Sequence, residues 1–329
     1  MATPLRIATF NVENLDDLPG ATPTLAERIS VMRPQLLRLR ADVLCLQEVH
    51  GQETPGQPRA LLALRALIAD TPYADYQMSF TKTLQNAEAY DQRNLVVLSR
   101  FPVLAVQQIK HDLTPKPLYR SVTAQPPETQ AREVSWERPI FYVQLDLGEN
   151  RRLHVINLHL KSKIPSDIPG QKIDQYRWRS VAGWAEGYFI ASMRRVGQAL
   201  ETRILIDRIF DSEPGALIAV CGDFNANSDE VPVSAIRGQV EDTGNPDLSL
   251  RVLVPCERSV PESARYSLLH LGKGEMLDHV IVSRSLLSYY HATEIHNEAL
   301  PDESGAFRTD RLFPESDHAP VVAEFLLGS

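Results

Sequence analysis

The sequence reads as an α/β protein, and three observations carry that reading. Short apolar runs of strand length recur along its 329 residues. Segments with helical spacing lie between them. Polar and acidic residues gather at the ends of the runs. Strands alternating with helices point to an α/β or α+β architecture, and order alone leaves open whether the sheet is single or double.

The strand-like runs are residues 5–10, 43–47, 95–98, 140–145, 153–158, 217–221, 276–282 and 321–326. Each is short, apolar and rich in Val, Ile or Leu, as buried strands are. A helix is expected over 24–40, where Thr24-x-x-Glu27 matches a capping box. Pro34 is expected to kink or divide it, because proline lacks the N–H and clashes with the preceding turn. A second helix is expected over 58–69, with Leu61, Leu62, Leu64 and Leu67. The segment 176–210 has helical spacing in its second half, through Val196, Leu200, Ile204, Leu205 and Ile209. Gly183 and Gly187 are expected to interrupt its first half, since each costs ~1 kcal/mol against Ala in a helix. The Pro-containing stretches 114–117 and 125–128 lack periodicity and read as a surface excursion.

Hydrophobic residues make up 43% and charged residues 23%, an ordinary globular balance. Cys45, Cys221 and Cys256 form no CxxC pair, which argues against a disulfide framework and against a zinc site. The first two sit in apolar runs and read as buried thiols. No apolar stretch approaches membrane-span length, and Met1 to Arg6 runs into a strand with no signal-peptide pattern. A cytoplasmic protein with no obligate protein partner is the expectation. A net charge of −8 argues against a surface coated in positive charge for non-specific DNA binding. It does not exclude a nuclease, because a carboxylate-rich site is itself acidic and a bound metal offsets part of that charge.

The candidate site residues repeat one placement. Asn11 and Glu13 follow the first strand, Glu48 ends the second, and His159 ends the run 153–158. Asp223 and Asn225 follow the run 217–221, Asp278 precedes Val280-Ile-Val282, and Asp317-His318 precedes the last strand. Any one acid at a strand end is ordinarily a turn residue. Six such places, all supplying Asp, Glu, Asn or His, favour one convergent site held by loops at the strand ends. Their spread from Asn11 to His318 also favours one domain over residues 1–329, although length alone would suggest two. Carboxylate and amide oxygens suit hard cations, Mg²⁺ or Mn²⁺ with Ca²⁺ also compatible. Such a metal polarises a phosphoryl oxygen and steadies a leaving oxyanion, while carboxylates and histidines handle water and protons.

Seven segments together resemble the endonuclease/exonuclease/phosphatase superfamily, the DNase I-like proteins. They are Phe10-Asn-Val-Glu-Asn, Leu46-Gln-Glu, Asn94 through Pro102, Asn157-Leu-His, Gly222-Asp-Phe-Asn, Leu277-Asp-His and Ser316-Asp-His-Ala-Pro320. Asn157 through Lys163 and Arg265 through His279 are most similar to bacterial extracellular-nuclease-like members. The resemblance implies a four-layer sandwich, two mixed β-sheets packed face to face with helices outside and a cleft at one edge. It implies Glu48 as principal metal ligand, with Asn11 beside it, Asp317 contributing and Glu13 near a second ligand place. Asp223 would position or deprotonate water, and Asn225 would hydrogen-bond the transition state. His318, oriented by Asp278, and His159 would flank the phosphate, with the carboxylate favouring the imidazolium form of His318.

The remaining residues carry paired readings. His279 stands where relatives often have an aromatic residue and reads as packing. Asn94 is either a turn residue or reaches the cleft. Lys161, Lys163, Lys172, Arg177 and Arg179 are either a solvated loop or contacts to a phosphate backbone. Tyr176, Trp178 and Trp184 interleave with them, to stack on bases or to pack on the core. Arg138 is structural or a phosphate contact. The expected activity is metal-dependent phosphodiester hydrolysis, with nucleic acid as substrate. A lipid headgroup of the sphingomyelin type or an inositol phosphate is the alternative, since core and fold do not fix substrate.

Overall fold

The computed structural model describes residues 3–305 and 313–328. Twelve strands build two six-stranded sheets. In chain order they are β1 (Thr3–Leu15), β2 (Val43–Val49), β3 (Gln77–Phe80), β4 (Asn94–Ser99), β5 (Val103–Ile109), β6 (Ile140–Gly148), β7 (Arg151–His159), β8 (Leu217–Asp223), β9 (Leu253–Pro255), β10 (Asp278–Ser283), β11 (Tyr290–Ile295) and β12 (Val321–Leu327). The first sheet has the order β11-β12-β1-β2-β4-β3 and the second β9-β10-β8-β7-β6-β5. Both are mixed: β1 runs parallel to β2 and β7 parallel to β8, among antiparallel neighbours.

Alternation along the strands dictates the layers. Ile7, Cys45 and Val97 point to the second sheet and meet Phe141, Val155, Cys221 and Val280 in a core between the sheets. The intervening Ala8, Leu44 and Val96 face outward onto α1 (Leu25–Leu39) and α2 (Leu62–Ile68). On the other side, Ile156, Ile218 and Val220 pack against α3 (Val181–Ser212) and α4 (Val231–Arg237). The result is the four-layer sandwich. Cys45, Cys221 and Cys256 are buried free thiols.

Several elements differ from the sequence reading. The Thr24–Glu27 capping box forms with both of its hydrogen bonds, and α1 continues through Pro34. The region 58–69 divides, with a short strand Gln57–Ala60 before α2. In α3 neither Gly183 nor Gly187 breaks the helix. A loop lies against both: a Cβ would come within 2.5 Å of Gln171 Oε1 at Gly183 and within 2.3 Å of the Ser166 carbonyl at Gly187. Close approach requires glycine there, and the packing offsets the lost propensity. The excursion through residues 110–136 is pinned to α3 by two buried carboxylates. Glu201 accepts from His111 N, Leu113 N and Trp136 Nε1, and Glu186 from Tyr119 Oη and the Val122 and Thr123 amides.

The candidate active site

Both sheets end at one cleft of about 610 Å³. A fully buried polar network joins the two sheets. Gln47 Nε2 donates to Asn157 Oδ1 at 2.7 Å, and Asn157 Nδ2 donates to the carbonyls of Leu46 and Val96. A polar side chain between two apolar sheets is tolerated only when its donors and acceptors are met; this one also sets how the sheet ends meet.

Asp223 is the hub. It closes β8 after Gly222, whose φ of +138° and close approach admit no side chain: a Cβ would lie 2.0 Å from the Leu158 carbonyl. Asn11 Nδ2 donates to Asp223 Oδ2 at 3.1 Å. The Asn225 amide donates to Oδ1 at 2.8 Å, and Asn225 Nδ2 to Oδ2 at 3.0 Å and to the Leu160 carbonyl at 3.1 Å. His159 Nε2 lies 3.4 Å from both Asp223 Oδ2 and Glu48 Oε1. His318 Nε2 stands 4.0 Å from Asp223 Oδ2, while its Nδ1 is 2.7 Å from Asp278 Oδ2. Asp278 is itself held by the Ser267 hydroxyl, which receives the Leu277 and Asp278 amides.

The residues expected on the metal side form a second group. Asn11 and Glu13, read from sequence as following the first strand, lie inside β1 where its pairing with β2 shifts register between Asn11 and Leu15. The Glu13 amide donates to Asn11 Oδ1, and Glu13 Oε2 receives the Asp317 amide at 3.0 Å. Glu48 Oε2 receives the Asn14 amide at 3.1 Å. Arg28 of α1 donates to the carbonyls of Val12 and Glu13. Ser316 Oγ donates to the Asn11 carbonyl at 2.7 Å, docking the C-terminal Asp317-His318 on β1. Glu13, Asn14, Glu48 and Asn225 all have φ between 45° and 61°. Left-handed backbone at non-glycine residues is strained, and such strain collects at functional sites.

The site holds more carboxylate than it can comfortably ionise. Burial pushes Asp223 up to about 7, reinforced by Asp278 and Glu48 and opposed by His318. Burial and the neighbouring Asp317 push Glu13 to about 8, and burial lifts Asp317 to about 6. Burial opposes charge on His318, but Asp278 at its Nδ1, with Asp223 and Asp317, holds it well above its ordinary value. His159 moves the opposite way: burial, then Arg138 and Arg93, keep it well below, despite its two carboxylate neighbours. We take the neutral form, since its Nδ1 is buried with no partner.

A divalent cation fits this donor set. Asp317 Oδ1 is buried with no hydrogen-bond partner, its nearest cation among the described residues being His318 Nε2 at 4.0 Å, and the repelling carboxylates would be relieved by positive charge. Asp223, Asp278 and His318 also offer ligand atoms within 4.8 Å of one another, so an Asp–Asp–His trio able to hold a metal stands beside the Glu48 group. Within the trio His318 Nδ1 is already taken up by Asp278, and Asp223 by Asn11 and Asn225, which leaves Glu48 and Asp317 as the freer donors.

Of the residues singled out in the sequence, Glu48, His159, Asp223, Asn225 and His318 line the cleft. Asn11, Glu13, Asp278 and Asp317 stand directly behind them through the bonds above. Arg138, open between two readings, lines the cleft while donating to the His159 carbonyl. Lys161 and Lys163 reach it, Lys163 being paired with Glu230 and Glu275. Lys172, Arg177 and Arg179 bond within their own loop. Asn94 is neither a turn residue nor part of the cleft lining: it opens β4, fully buried, and ties Val49 and Tyr90 together. His279 packs edge-on against Phe224 and bonds Glu257 and the Ala226 carbonyl. Sequence reasoning did not single out Arg93 or the wall formed by His270, Glu275 and Glu303; His270 and Glu275 lie within the segment 265–279 but outside its Leu277-Asp-His motif, and only the chain path brings these residues to the cleft.

A model of the "Endonuclease/Exonuclease/phosphatase family" matches residues 8–318. The chain belongs to this family. It is therefore a phosphoric ester hydrolase by family, with a site able to hold a metal. Among solved structures it is similar to truncated TDP2 from Caenorhabditis elegans, at 15% identity and a TM-score of 0.59, covering 98% of each chain. The family protein from Bacteroides vulgatus matches at 16% identity and a TM-score of 0.56, covering 99% of this chain and 100% of that one. A humanized Danio rerio TDP2 matches at 15% identity and a TM-score of 0.55, covering 98% of each. These likenesses show the shared fold. The comparison with curated proteins returns no match.

Proposed function

We propose that this protein is a divalent-metal-dependent phosphodiesterase, most directly a nuclease acting on DNA or RNA, with residues 1–329 working as one domain. The observation that carries the reading is the convergence of Asp223, His159, Asp278-paired His318 and Glu48 at one cleft. Glu48, Asn11, Asp317 and Glu13 are the residues to hold Mg²⁺ or Mn²⁺, with Ca²⁺ also compatible, and the ion when bound supplies Lewis-acid polarisation of a phosphoryl oxygen. Asp223, oriented by Asn11 and Asn225, accepts the proton of an attacking water. Asn225 already spends both amide hydrogens on Asp223 and Leu160, so its geometry supports positioning Asp223 ahead of direct contact with phosphate. His318, held cationic by Asp278, places positive charge and a proton at Nε2 against the phosphate. Neutral His159 offers Nε2 on the other side. Arg138, Lys161 and Lys163, which line the cleft, suit the anionic backbone of a nucleic acid.

A lipid headgroup is the second reading, and one observation favours it: Ile164 on the cleft rim is exposed and leads toward an apolar surface described below. A panel of plasmid DNA, single-stranded DNA, RNA, sphingomyelin and inositol phosphates, each with Mg²⁺, Mn²⁺, Ca²⁺ or EDTA, tests both. Turnover surviving EDTA would overturn the metal dependence. Lipid hydrolysis with no action on nucleic acid would replace the leading substrate.

A further inference from the structure

The first turns of α3 are inside out. In Val181-Ala-Gly-Trp-Ala-Glu-Gly-Tyr-Phe-Ile190 the buried positions are Gly183, Glu186, Gly187 and Ile190. The exposed ones are Val181, Ala182, Trp184, Ala185, Tyr188 and Phe189, every one apolar or aromatic. An ordinary surface helix shows the opposite pattern, as the last turns of α3 do with Leu205, Ile206, Ile209 and Phe210 buried. The inner face is accounted for. The Gln171 side chain presses on Gly183 and the Ser166 carbonyl on Gly187, and Glu186 receives the Val122 and Thr123 amides and Tyr119 Oη. Nothing among the described residues covers the outer face.

The patch continues beyond the helix. Tyr119 meets Phe189 at 5.3 Å between ring centroids, and beside it Leu118 and Val122 are exposed. Lys172 pairs with Trp178 across a tight turn whose tip exposes Ile173 and Tyr176, the latter at 71%. Val181, one turn on, is 81% exposed. Several large exposed apolar side chains from three neighbouring segments mark a binding surface, whereas scattered ones would need no explanation. Toward the cleft the same loop carries Ile164 and, through Ser166, reaches Gly187.

We propose that this face docks the protein on the surface of an anionic phospholipid membrane, with α3 lying in the plane of the interface beside the cleft. Charge argues for that occupant. Residues 160–180 carry five basic side chains in a chain of net charge −8; Lys172 and Arg177 pair with Asp167 and Asp174 and Lys163 with Glu230 and Glu275, which leaves Lys161 and Arg179 as the excess positive charge of the segment. Arg120 stands exposed between Leu118 and Val122. A basic fringe around Val, Ile, Leu, Trp and Tyr is the make-up of an interfacial helix, and Trp and Tyr settle at headgroup level. A second copy of the chain would set this fringe against itself. Nucleic acid would use the aromatic rings, but the aliphatic members of the patch have no base to stack on, and the Trp184 and Tyr188 rings already stack on each other at 5.8 Å. No helix of the described residues is long and apolar enough to cross a membrane, so the mode is surface attachment. The inference concerns binding and stands apart from the hydrolytic reading.

The test is flotation of the purified chain with phosphatidylcholine vesicles containing or lacking phosphatidylglycerol, in EDTA so that turnover plays no part. Binding to the phosphatidylglycerol vesicles is expected, with a blue shift of tryptophan fluorescence. Val181→Ser/Trp184→Ser/Tyr188→Ser should lower partitioning ~tenfold or more, and Arg120→Glu/Arg177→Glu should remove most of the preference for the anionic lipid. Melting temperature and hydrolysis of a soluble phosphodiester should stay at wild-type values in both variants. Failure to float with either vesicle would overturn the proposal, and so would binding indifferent to these substitutions. A concentration-dependent dimer abolished by the triple substitution would assign the face to a second copy instead. Single-stranded DNA binding lost in that variant, without vesicle binding, would assign it to nucleic acid. Loss of soluble-diester hydrolysis in wild type would fault the hydrolytic reading alone.

Discussion

His318 and His279 follow the same residue, Asp, in two stretches of similar sequence, and both are buried with Nδ1 against a buried carboxylate. Burial opposes charge on each, and the partner acid, Asp278 or Glu257, more than reverses it. The difference lies at Nε2. In His279 that nitrogen is consumed by the Ala226 carbonyl at 2.9 Å, so the ring is a saturated double donor that props the turn after Asn225. In His318 it faces the cleft, 4.0 Å from Asp223. A histidine–carboxylate pair is thus equipped for chemistry only where its second nitrogen remains free toward a cavity, and the pair alone does not distinguish prop from reagent.

That contrast can be broken or sharpened by substitution. The largest loss is expected for Asp223→Asn, about a thousandfold in turnover, measured by steady-state hydrolysis of a diester. The same variant should melt higher than wild type in EDTA above neutral pH. Asp223 is raised from 3.8 to about 7, so the folded state binds its proton more tightly and loses stability as pH rises between those values. Asparagine removes that penalty, and an unchanged or lower melting temperature would refute it.

Next comes His318→Ala, with turnover expected to fall about a hundredfold; a near-normal rate would remove His318 from the chemistry. Asp278→Asn should cost less, roughly tenfold, and move the acid–base limb of the pH–rate profile to lower pH, because the imidazolium loses its main support. His279→Phe should divide from these. By leaving Glu257 buried and unpaired it should cost about 3 kcal/mol of stability, read by urea unfolding, while the folded fraction retains turnover within about fivefold. A raised histidine stabilises fully below its ordinary value of 6.5 and loses that contribution as pH rises through the raised one. The stability gap between wild type and His279→Phe should therefore narrow at alkaline pH.

The strand cores and the α1 cap were legible because each rests on local chemistry: runs of Val, Ile and Leu, and a Thr24 hydroxyl three residues from Glu27. The cleft residues Glu48, His159, Asp223, Asn225 and His318 were legible through their shared position at strand ends, and the pairing of His318 with Asp278 is found as expected. Three things were hidden. Glycines in α3 read as breaks, although they are places where a distant loop needs room. Arg138 stayed open between a structural role and a phosphate contact, and Arg28 gave no sign of bracing Glu13, because their partners are backbone carbonyls, which have no sequence signature. The outward apolar face of α3 has a helical pattern like any other; which side it turns to the core depends on what packs there.

By itself the sequence determined the alternation of strands and helices and the kinds of ligand atoms available at strand ends. Both follow from short-range constraints: side-chain periodicity, capping and turn chemistry. Only the tertiary structure decided which of those atoms meet. The junction of the two sheets at Asn157 and Gln47 brings Asn11 within hydrogen-bonding distance of Asp223, and the docking of Ser316 on β1 delivers His318 to the same hub. Those residues are far apart along the chain, and their encounter depends on how two sheets pack, which no local pattern encodes.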